Sequence, residues 1–260
     1  MGVTASAGDL RVLVTAGAAG IGRAFAETFA DAGAKVFICD VDERALAAFH
    51  AARPDIGANV ADVAVPAQVD VMFGVAAAHL GGLDVLINNA GIAGPTAAVE
   101  DISVADWDRT IAVDLNGMFY CTRRAVPLLK AAGGGSIVNL SSAAGRLGFR
   151  LRTPYSAAKW AVVGFTKSLA IELGPFNIRV NAIQPGIVKG ERMDRIIEAK
   201  AAALGITEEE FEARMLSSVS LRRMVSAQDI ANMALFLATP AGASISGQAL
   251  PVCGNVEYLQ

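Results

Sequence analysis

Three polar side chains in the middle of the sequence could together move a proton. Tyr155 and Lys159 are four residues apart in a helix-favouring stretch, so their side chains would share one face of a helix. A free tyrosine, with a pKa of about 10, is a poor base at neutral pH, but an ammonium roughly 4 Å away would favour its phenolate by about 4 kcal/mol at an effective dielectric near 20. Ser142, or its neighbour Ser141, could donate a hydrogen bond to a substrate oxygen. Spacing alone fits a surface Tyr–Lys pair better, but the position of this pair after a strand that ends near Ser142 favours proton exchange with an alcohol or a ketone.

A glycine-rich turn near the start of the chain could hold a dinucleotide. TAGAAGIG, residues 15–22, follows an apolar run and precedes a helix-favouring one. Gly20 and Gly22 would let the backbone approach a pyrophosphate at the helix N-terminus, where free N–H groups point toward an anion. Asp40, about twenty residues further on, could accept hydrogen bonds from ribose hydroxyls. Its charge would repel a 2′-phosphate, which favours NAD over NADP, although Arg44 could still reach such a phosphate.

Short apolar runs predict the strands that position these residues. They are RVLVT (11–15), KVFICD (35–40), DVLIN (84–88), GSIVNL (135–140) and IRVNAI (178–183). Ala-rich amphipathic stretches separate them, an alternation typical of a parallel sheet with helices on both faces. We therefore predict an α/β fold, a doubly wound parallel sheet or Rossmann fold, with ligands at the carboxyl ends of the strands.

The chain shows no internal boundary. No linker or low-complexity segment divides residues 1–260, so we expect a single domain. Residues 190–225 interrupt the alternation with a charged helical insert, which forms either a lid over the site or a plain pair of surface helices. Residues 133–135, GGG, predict a tight turn that enters a strand.

Composition narrows the class of partner and compartment. The chain has 22 basic and 25 acidic residues and a net charge of -3, which argues against nucleic-acid binding. Cys39, Cys121 and Cys253 lack CxxC spacing and predict buried free thiols in a reducing, cytoplasmic setting. We find neither a signal peptide nor a membrane span. His50 and His79 are expected on the surface, and no metal site is predicted.

Five motifs occur in the order and spacing of one family. They are TAGAAGIG, NNAG (88–91), Ser142, YSAAK (155–159) and PG (185–186). From about residue 8 to 255 the chain resembles a single-domain short-chain dehydrogenase/reductase. The resemblance implies an NAD(H)-dependent oxidoreductase that interconverts a secondary alcohol and a ketone, with Tyr155 as general acid and base and Lys159 also on the ribose hydroxyls. The offset of thirteen residues to Tyr155 selects Ser142 over Ser141.

Three positions depart from the family pattern. Ala16 replaces the first glycine of the turn, and we expect Gly17 to keep the loop flexible. Asp114 falls where the family has a catalytic Asn that holds a water in a proton relay, with Asn116 as the alternative. Gly190 replaces a Thr that touches the nicotinamide amide, so the Val188 backbone would supply that contact.

The resemblance also implies a set of cofactor-binding residues along the strand ends. They are Thr15, Gly17, Gly20, Ile21, Gly22, Asp40, Val41, Asn59, Val60, Asn89, Ala90, Gly91, Tyr155, Lys159, Pro185, Gly186 and Val188. Asn59 and Val60 would contact adenine, and Asn89, Ala90 and Gly91 would line the nicotinamide side.

The substrate is a small molecule that the sequence leaves open. Arg146, Arg150 and Arg152, between Ser142 and Tyr155, could bind a carboxylate or phosphate, although exposed loop arginines or a subunit salt bridge explain them equally well. The other wall is predicted to include Gln184, Ile187, Glu191, Arg192 and Met193, so a sugar or polyol stays open.

Assembly and alternative functions follow from the same resemblance. Apolar helices around 114–129 and 160–173 resemble subunit-pairing elements and imply a homotetramer, with a dimer as the alternative. The alternative functions are an NADP-dependent carbonyl or 3-oxoacyl reductase, which Asp40 argues against, and a non-catalytic NAD-binding sensor, which intact Tyr155 and Lys159 argue against.

Overall fold

A computed structural model describes residues 7–259, and in that part of the chain seven strands form one parallel sheet. The strands are β1 (Arg11–Thr15), β2 (Lys35–Asp40), β3 (Gly57–Val60), β4 (Val85–Asn88), β5 (Gly135–Leu140), β6 (Ile178–Pro185) and β7 (Ala249–Val252). Their order is β3-β2-β1-β4-β5-β6-β7. The order reverses between β1 and β4, which opens a crevice at their carboxyl ends.

The helices of the described residues cover both faces of the sheet. They are α1 (Gly20–Asp31), α2 (Glu43–Ala52), α3 (Pro66–Leu80), α4 (Val104–Ile111), α5 (Gly117–Ala131), α6 (Thr153–Leu173), α7 (Glu191–Leu204), α8 (Glu208–Leu216) and α9 (Ala227–Ala238). One core contains Phe25 and Phe29 of α1 with Ile230 of α9, and the other contains Phe73 of α3 with Leu129 of α5. The predicted Rossmann fold is thereby confirmed.

Strand boundaries differ slightly from the predictions. The run predicted from residue 84 begins one residue later, at Val85, and the Asp84 carboxylate before it forms an ion pair with Arg11 at 2.7 Å. The run predicted to end at 183 continues to Pro185. Strands β3 and β7 were not among the five predicted runs, because GANV and ALPV are both short. The second also contains Pro251, a residue that belongs at the edge of a sheet.

The charged insert at 190–225 folds as two helices. Helix α8 begins with a capping box, in which Thr207 and Glu210 each bind the other's backbone N–H. Residue Arg192 lies in α7, but its side chain is outside the described part of the structure. Among residues 7–259, no helix combines the length and the apolar character that crossing a bilayer requires.

The cysteines and histidines lie where the sequence placed them. Cys39, Cys121 and Cys253 are free and buried, and burial raises the pKa of Cys39 to about 12. His50 and His79 are both exposed.

Candidate active site

The turn between β1 and α1 is shaped by close backbone contacts. A Cβ on Gly22 would lie 1.8 Å from the Ala16 carbonyl oxygen, so α1 packs directly against the turn and Gly22 is required for that packing. Gly17 is buried, and a Cβ there would lie 2.6 Å from Ile38. The expectation that Gly17 provides flexibility is therefore wrong: it provides room. The unusual backbone angle falls on Ala16, with φ of +50°.

The start of α1 offers free donors to an anion. Its N-cap residue, Ala19, makes no side-chain cap, so the N–H groups of the first turn at Ile21 and Gly22 need an acceptor from elsewhere. Gly20 adopts φ of +54°, and nothing lies within 4 Å of where its Cβ would be. An uncapped helix start beside an open cradle fits a pyrophosphate.

The second half of the crevice is fastened to this turn. The Thr15 hydroxyl is buried and accepts hydrogen bonds from the N–H groups of Asn89 and Ala90, at 2.9 and 3.0 Å. The Asn89 side-chain amide donates to the carbonyls of Thr15 and Ala16, each at 3.0 Å. Thr15 and Asn89, predicted cofactor contacts, therefore hold the ends of β1 and β4 together.

Asp40 lies at the carboxyl end of β2, beside the turn. One of its oxygens accepts from Ala18 N–H at 3.2 Å, and the other accepts from Asp42 N–H at the same distance. Its strand neighbour in β3 is Val60, which is 45% exposed, and Val41 is 61% exposed. Apolar side chains this exposed beside a fixed carboxylate fit an adenosine, with the carboxylate left to accept from ribose hydroxyls.

Two cations lie near the ring of Tyr155. The Lys159 ammonium is 5.5 Å from the centre of the Tyr155 ring, and the Arg152 guanidinium is 5.4 Å from it. Arg152 is the N-cap residue of α6, and it also donates to the Ala93 carbonyl at 2.6 Å and to Thr96 at 3.2 Å. Two positively charged side chains therefore lie close to the aromatic ring of Tyr155.

Asp114 is completely buried against Lys159. One carboxylate oxygen accepts from Ile92 N–H at 2.7 Å, and the other lies 3.2 Å from the Lys159 ammonium. This second contact is an ion pair without hydrogen-bond geometry, since Oδ2 accepts no hydrogen bond and the ammonium donates to the Leu140 carbonyl at 3.2 Å. A Cβ on Gly91 would lie 3.1 Å from the same ammonium, so a larger residue there would crowd the pair.

A π-helical turn, Ala112–Asn116, places Asp114 in this position. Wider turns of this kind are rare and occur often at functional sites. Asn116, the alternative for the family's Asn, is exposed, whereas Asp114 is buried beside Lys159. The periodicity of the sequence contains no signal for the π turn.

The two serines after β5 face in different directions. Ser141 is buried and donates to the Lys159 carbonyl at 2.8 Å, which ties α6 to the end of β5. Ser142 is partly exposed and accepts from Ala144 N–H at 3.1 Å, so its hydroxyl proton is left to donate. Gly145 was missed by the sequence reasoning. A Cβ there would lie 2.2 Å from the Ser141 hydroxyl, so Gly145 allows the turn after Ser142 to pack on α6.

The three arginines between Ser142 and Tyr155 have different environments. Arg146 donates to the Val256 carbonyl at 3.0 Å and to the Cys253 sulfur at 3.2 Å, so it holds the C-terminal segment. Arg150 is exposed. The structure thus brings only Arg152 into contact with Tyr155.

The residues after β6 form the remaining wall of the crevice. Gln184 is only 3% exposed, and a Cβ on Gly186 would lie 2.7 Å from Cys253, so the end of β6 packs closely on the C-terminal segment. Ile187 packs on an apolar cluster that includes Leu216 of α8, and Val188 pairs with Val225. Pro185 is buried at the last strand position.

Known proteins resemble the chain over nearly its whole length. A family model described as enoyl-(acyl carrier protein) reductase matches residues 16–255. A trans-4-hydroxycyclohexanecarboxylate dehydrogenase of Sinomonas cyclohexanicum is 40% identical, over 94% of this chain and 91% of the relative. A galactitol 2-dehydrogenase of Agrobacterium fabrum is 36% identical, over 94% of this chain and 95% of the relative.

A solved structure agrees with the fold in detail. A 7α-hydroxysteroid dehydrogenase, solved with NADH and 7-oxo glycochenodeoxycholic acid, superposes with a TM-score of 0.89 at 31% identity, over 99% of this chain and 98% of that one. With a seven-stranded parallel sheet, a glycine turn at the β1–α1 junction and relatives of this similarity, the chain belongs to the short-chain dehydrogenase/reductase family of oxidoreductases.

Proposed function

We propose that this protein is an NAD-dependent dehydrogenase that oxidises a small secondary alcohol to a ketone, and reduces the ketone in reverse. The observation that carries the proposal is the arrangement at Tyr155, whose ring lies close to the charges of Arg152 and Lys159, 5.4 and 5.5 Å from its centre. A phenol in this field is suited to take a proton from an alcohol.

The chain's own residues divide the work of proton transfer. The Ser142 hydroxyl, already an acceptor for Ala144 N–H, donates to the substrate oxygen and orients the alcohol. The hydroxyl proton passes to the Tyr155 phenolate oxygen while the carbon gives up a hydride. Lys159 stabilises that phenolate and holds ribose hydroxyls. Bound NAD supplies the hydride acceptor.

Asp40 supports NAD over NADP. Its carboxylate is held at the end of β2 by the N–H groups of Ala18 and Asp42, where a ribose would lie. A 2′-phosphate about 4 Å away would cost several kcal/mol at an effective dielectric near 20. Arg44, the nearest cation in sequence, is exposed on the first turn of α2.

The substrate class is a cyclic alcohol, sugar or polyol, with or without a carboxylate. The relatives named for hydroxycyclohexanecarboxylate and galactitol support it. Arg150, exposed between Ser142 and Tyr155, is the proposed contact for a carboxylate. Arg150→Gln should then lower kcat/KM for hydroxy acids about tenfold, leaving neutral alcohols unchanged. The same change at Arg123, exposed on α5, is the control.

Organisation beyond the site follows the family resemblance. We propose a single domain that acts in the cytoplasm as a homotetramer, with α5 and α6 as pairing elements and α7 and α8 as a lid. Trp160 and Ile171 on α6 are 52% and 81% exposed, which supports a covered face on that helix. Light scattering of the purified protein tests the tetramer.

The test of the proposed function is the formation of NADH, with NADPH in parallel, from purified protein and a panel of cyclic alcohols, sugars, polyols and hydroxy acids. We expect turnover with NAD at a kcat/KM at least tenfold that with NADP. Preference for NADP would support the carbonyl reductase instead. Tight NAD binding without turnover of any panel member would support a non-catalytic NAD-binding protein.

A further inference from the structure

A buried carboxylate, that of Asp114, lies beside the Lys159 ammonium in this site. The charge environment of Tyr155 therefore differs from that of a site with the ammonium alone. The Asp114 side chain is 0% exposed and the Lys159 side chain 5% exposed, with 3.2 Å between the carboxylate and the ammonium. The other carboxylate oxygen of Asp114 accepts a hydrogen bond from Ile92 N–H at 2.7 Å. Asp114 therefore brings a carboxylate into the interior of the site, in contact with the Lys159 ammonium.

We infer that Asp114 is a positioning residue that sets the pH at which the site accepts the substrate proton. The inference rests on the proposed function, because it concerns the proton taken by Tyr155. Asp114 acts through Lys159: it fixes the ammonium beside Tyr155 and cancels part of the field with which that ammonium favours the phenolate.

The sign of the effect follows from the charges. With Asp114 ionised, its negative charge opposes the formation of a second negative charge on Tyr155. Replacing the carboxylate by an amide leaves the ammonium uncompensated, so the phenolate forms at lower pH. A unit charge about 7 to 12 Å away, at an effective dielectric near 20, moves such a midpoint by one to two pH units.

Other charged side chains lie at the Tyr155 ring or on elements packed against α6. Arg152 is the second cation at the Tyr155 ring. On elements packed against α6, Arg109 of α4 pairs with Asp62, and Arg179 of β6 donates to the Ala238 and Gly242 carbonyls.

Three further neighbours lie away from the pair. Arg146, which follows the short turn after Ser142, donates to the Val256 carbonyl. The α4 carboxylates, Asp106 and Asp108, are exposed, and Asp106 binds Ser103. Among these described groups, Asp114 is the carboxylate in contact with Lys159.

The substitution Asp114→Asn tests the inference. The amide oxygen can still accept from Ile92 N–H, so the fold is retained, and a thermal melt checks this. We expect the acidic limb of the kcat profile for alcohol oxidation to move at least one unit toward lower pH. Asp108→Asn removes an exposed carboxylate from α4 and should leave the profile in place. A profile unmoved in Asp114→Asn would overturn the inference.

A second measurement needs no substrate. The near-ultraviolet absorbance of tyrosinate, taken as the difference between each protein and its Tyr155→Phe counterpart, reports the Tyr155 phenolate directly. The chain has three tyrosines, so the subtraction isolates one of them. We expect a lower midpoint in Asp114→Asn than in the unsubstituted protein. Equal midpoints would reject the inference, whereas absent turnover with shifted midpoints would reject only the proposed function.

Discussion

The two ends of the crevice present different kinds of chemical group. At the β1–α1 turn, the ligand-facing groups are backbone N–H groups, and glycines provide the space around them. At α6, the groups are charged side chains, and Asp114 and Lys159 are buried with their charges in contact. The difference teaches that the first end depends on backbone shape, while the second depends on the position of individual charges.

The largest expected effect comes from removing a charge at the α6 end. Lys159→Met leaves the Asp114 carboxylate buried without its partner, which should lower the free energy of unfolding by about 3 to 5 kcal/mol. It should also lower kcat about a hundredfold, because the ammonium no longer favours the phenolate. Denaturant melts and initial rates measure the two effects.

The control for this charge is Lys167→Met on the same helix. The Lys167 side chain is exposed and donates to the Gly247 carbonyl, so its loss should change both quantities little. Similar losses in the two variants would mean that the buried pair has no special role.

Adding a side-chain atom at the β1–α1 turn should lower the free energy of unfolding. Gly22→Ala places a Cβ 1.8 Å from the Ala16 carbonyl oxygen, and backbone must move, at a cost of about 3 kcal/mol in unfolding free energy. Gly74→Ala, in open space on α3, should instead stabilise by about 0.5 to 1 kcal/mol. Chemical denaturation compares the two. Equal effects would contradict the close contact at the turn.

Asp40 is the carboxylate that we propose contacts the ribose at the nucleotide end. Asp40→Ala removes the acceptor for the ribose hydroxyls, and kcat/KM for NAD should fall about 10- to 100-fold, since hydrogen bonds to charged groups contribute about 1.5 to 3 kcal/mol. The value for NADP should fall less or rise. Glu43→Gln, an exposed neighbour on α2, is the matched control. An unchanged ratio of kcat/KM for NAD to that for NADP would show that Asp40 does not determine cofactor preference.

The smallest expected effect is a gain at Ala16. This residue has φ of +50°, a region that costs a residue with a Cβ about 1 to 2 kcal/mol. Ala16→Gly relieves that cost but raises the conformational entropy of the unfolded chain. The net result should be a free energy of unfolding that is higher by about 0.5 to 1 kcal/mol. Ala47 is exposed within α2, and Ala47→Gly should lower the free energy of unfolding by a similar amount. A loss in both variants would contradict the strained turn.

The sequence predicted most of the sheet, for a physical reason. Buried parallel strands are continuous apolar runs, and a run such as KVFICD can be recognised without knowledge of its neighbours. The short strand β7 was missed because ALPV has too few residues for a pattern. The roles of Gly17 and Gly22 depend on Ile38 and on the Ala16 carbonyl, contacts that arise only after folding.

The charges of the α6 end were less accessible from the sequence. Spacing placed Tyr155 and Lys159 on one face of a helix, and both do lie together in α6. The ion pair of Asp114 with Lys159 depends on a π turn, and helical periodicity carries no trace of that turn. Likewise, the sequence could not distinguish Arg146 from Arg150 and Arg152 as a possible substrate contact. In the folded chain Arg146 donates to the Val256 carbonyl instead.

The most direct test of the proposed chemistry is a paired measurement on Tyr155→Phe. We expect kcat for NAD-dependent alcohol oxidation to fall at least a thousandfold, while the Kd for NADH, measured by fluorescence titration, stays within about threefold. Tyr120→Phe, on α5, should change neither quantity. Turnover by Tyr155→Phe within tenfold of the unsubstituted protein would contradict the assignment of Tyr155 as the group that takes the substrate proton.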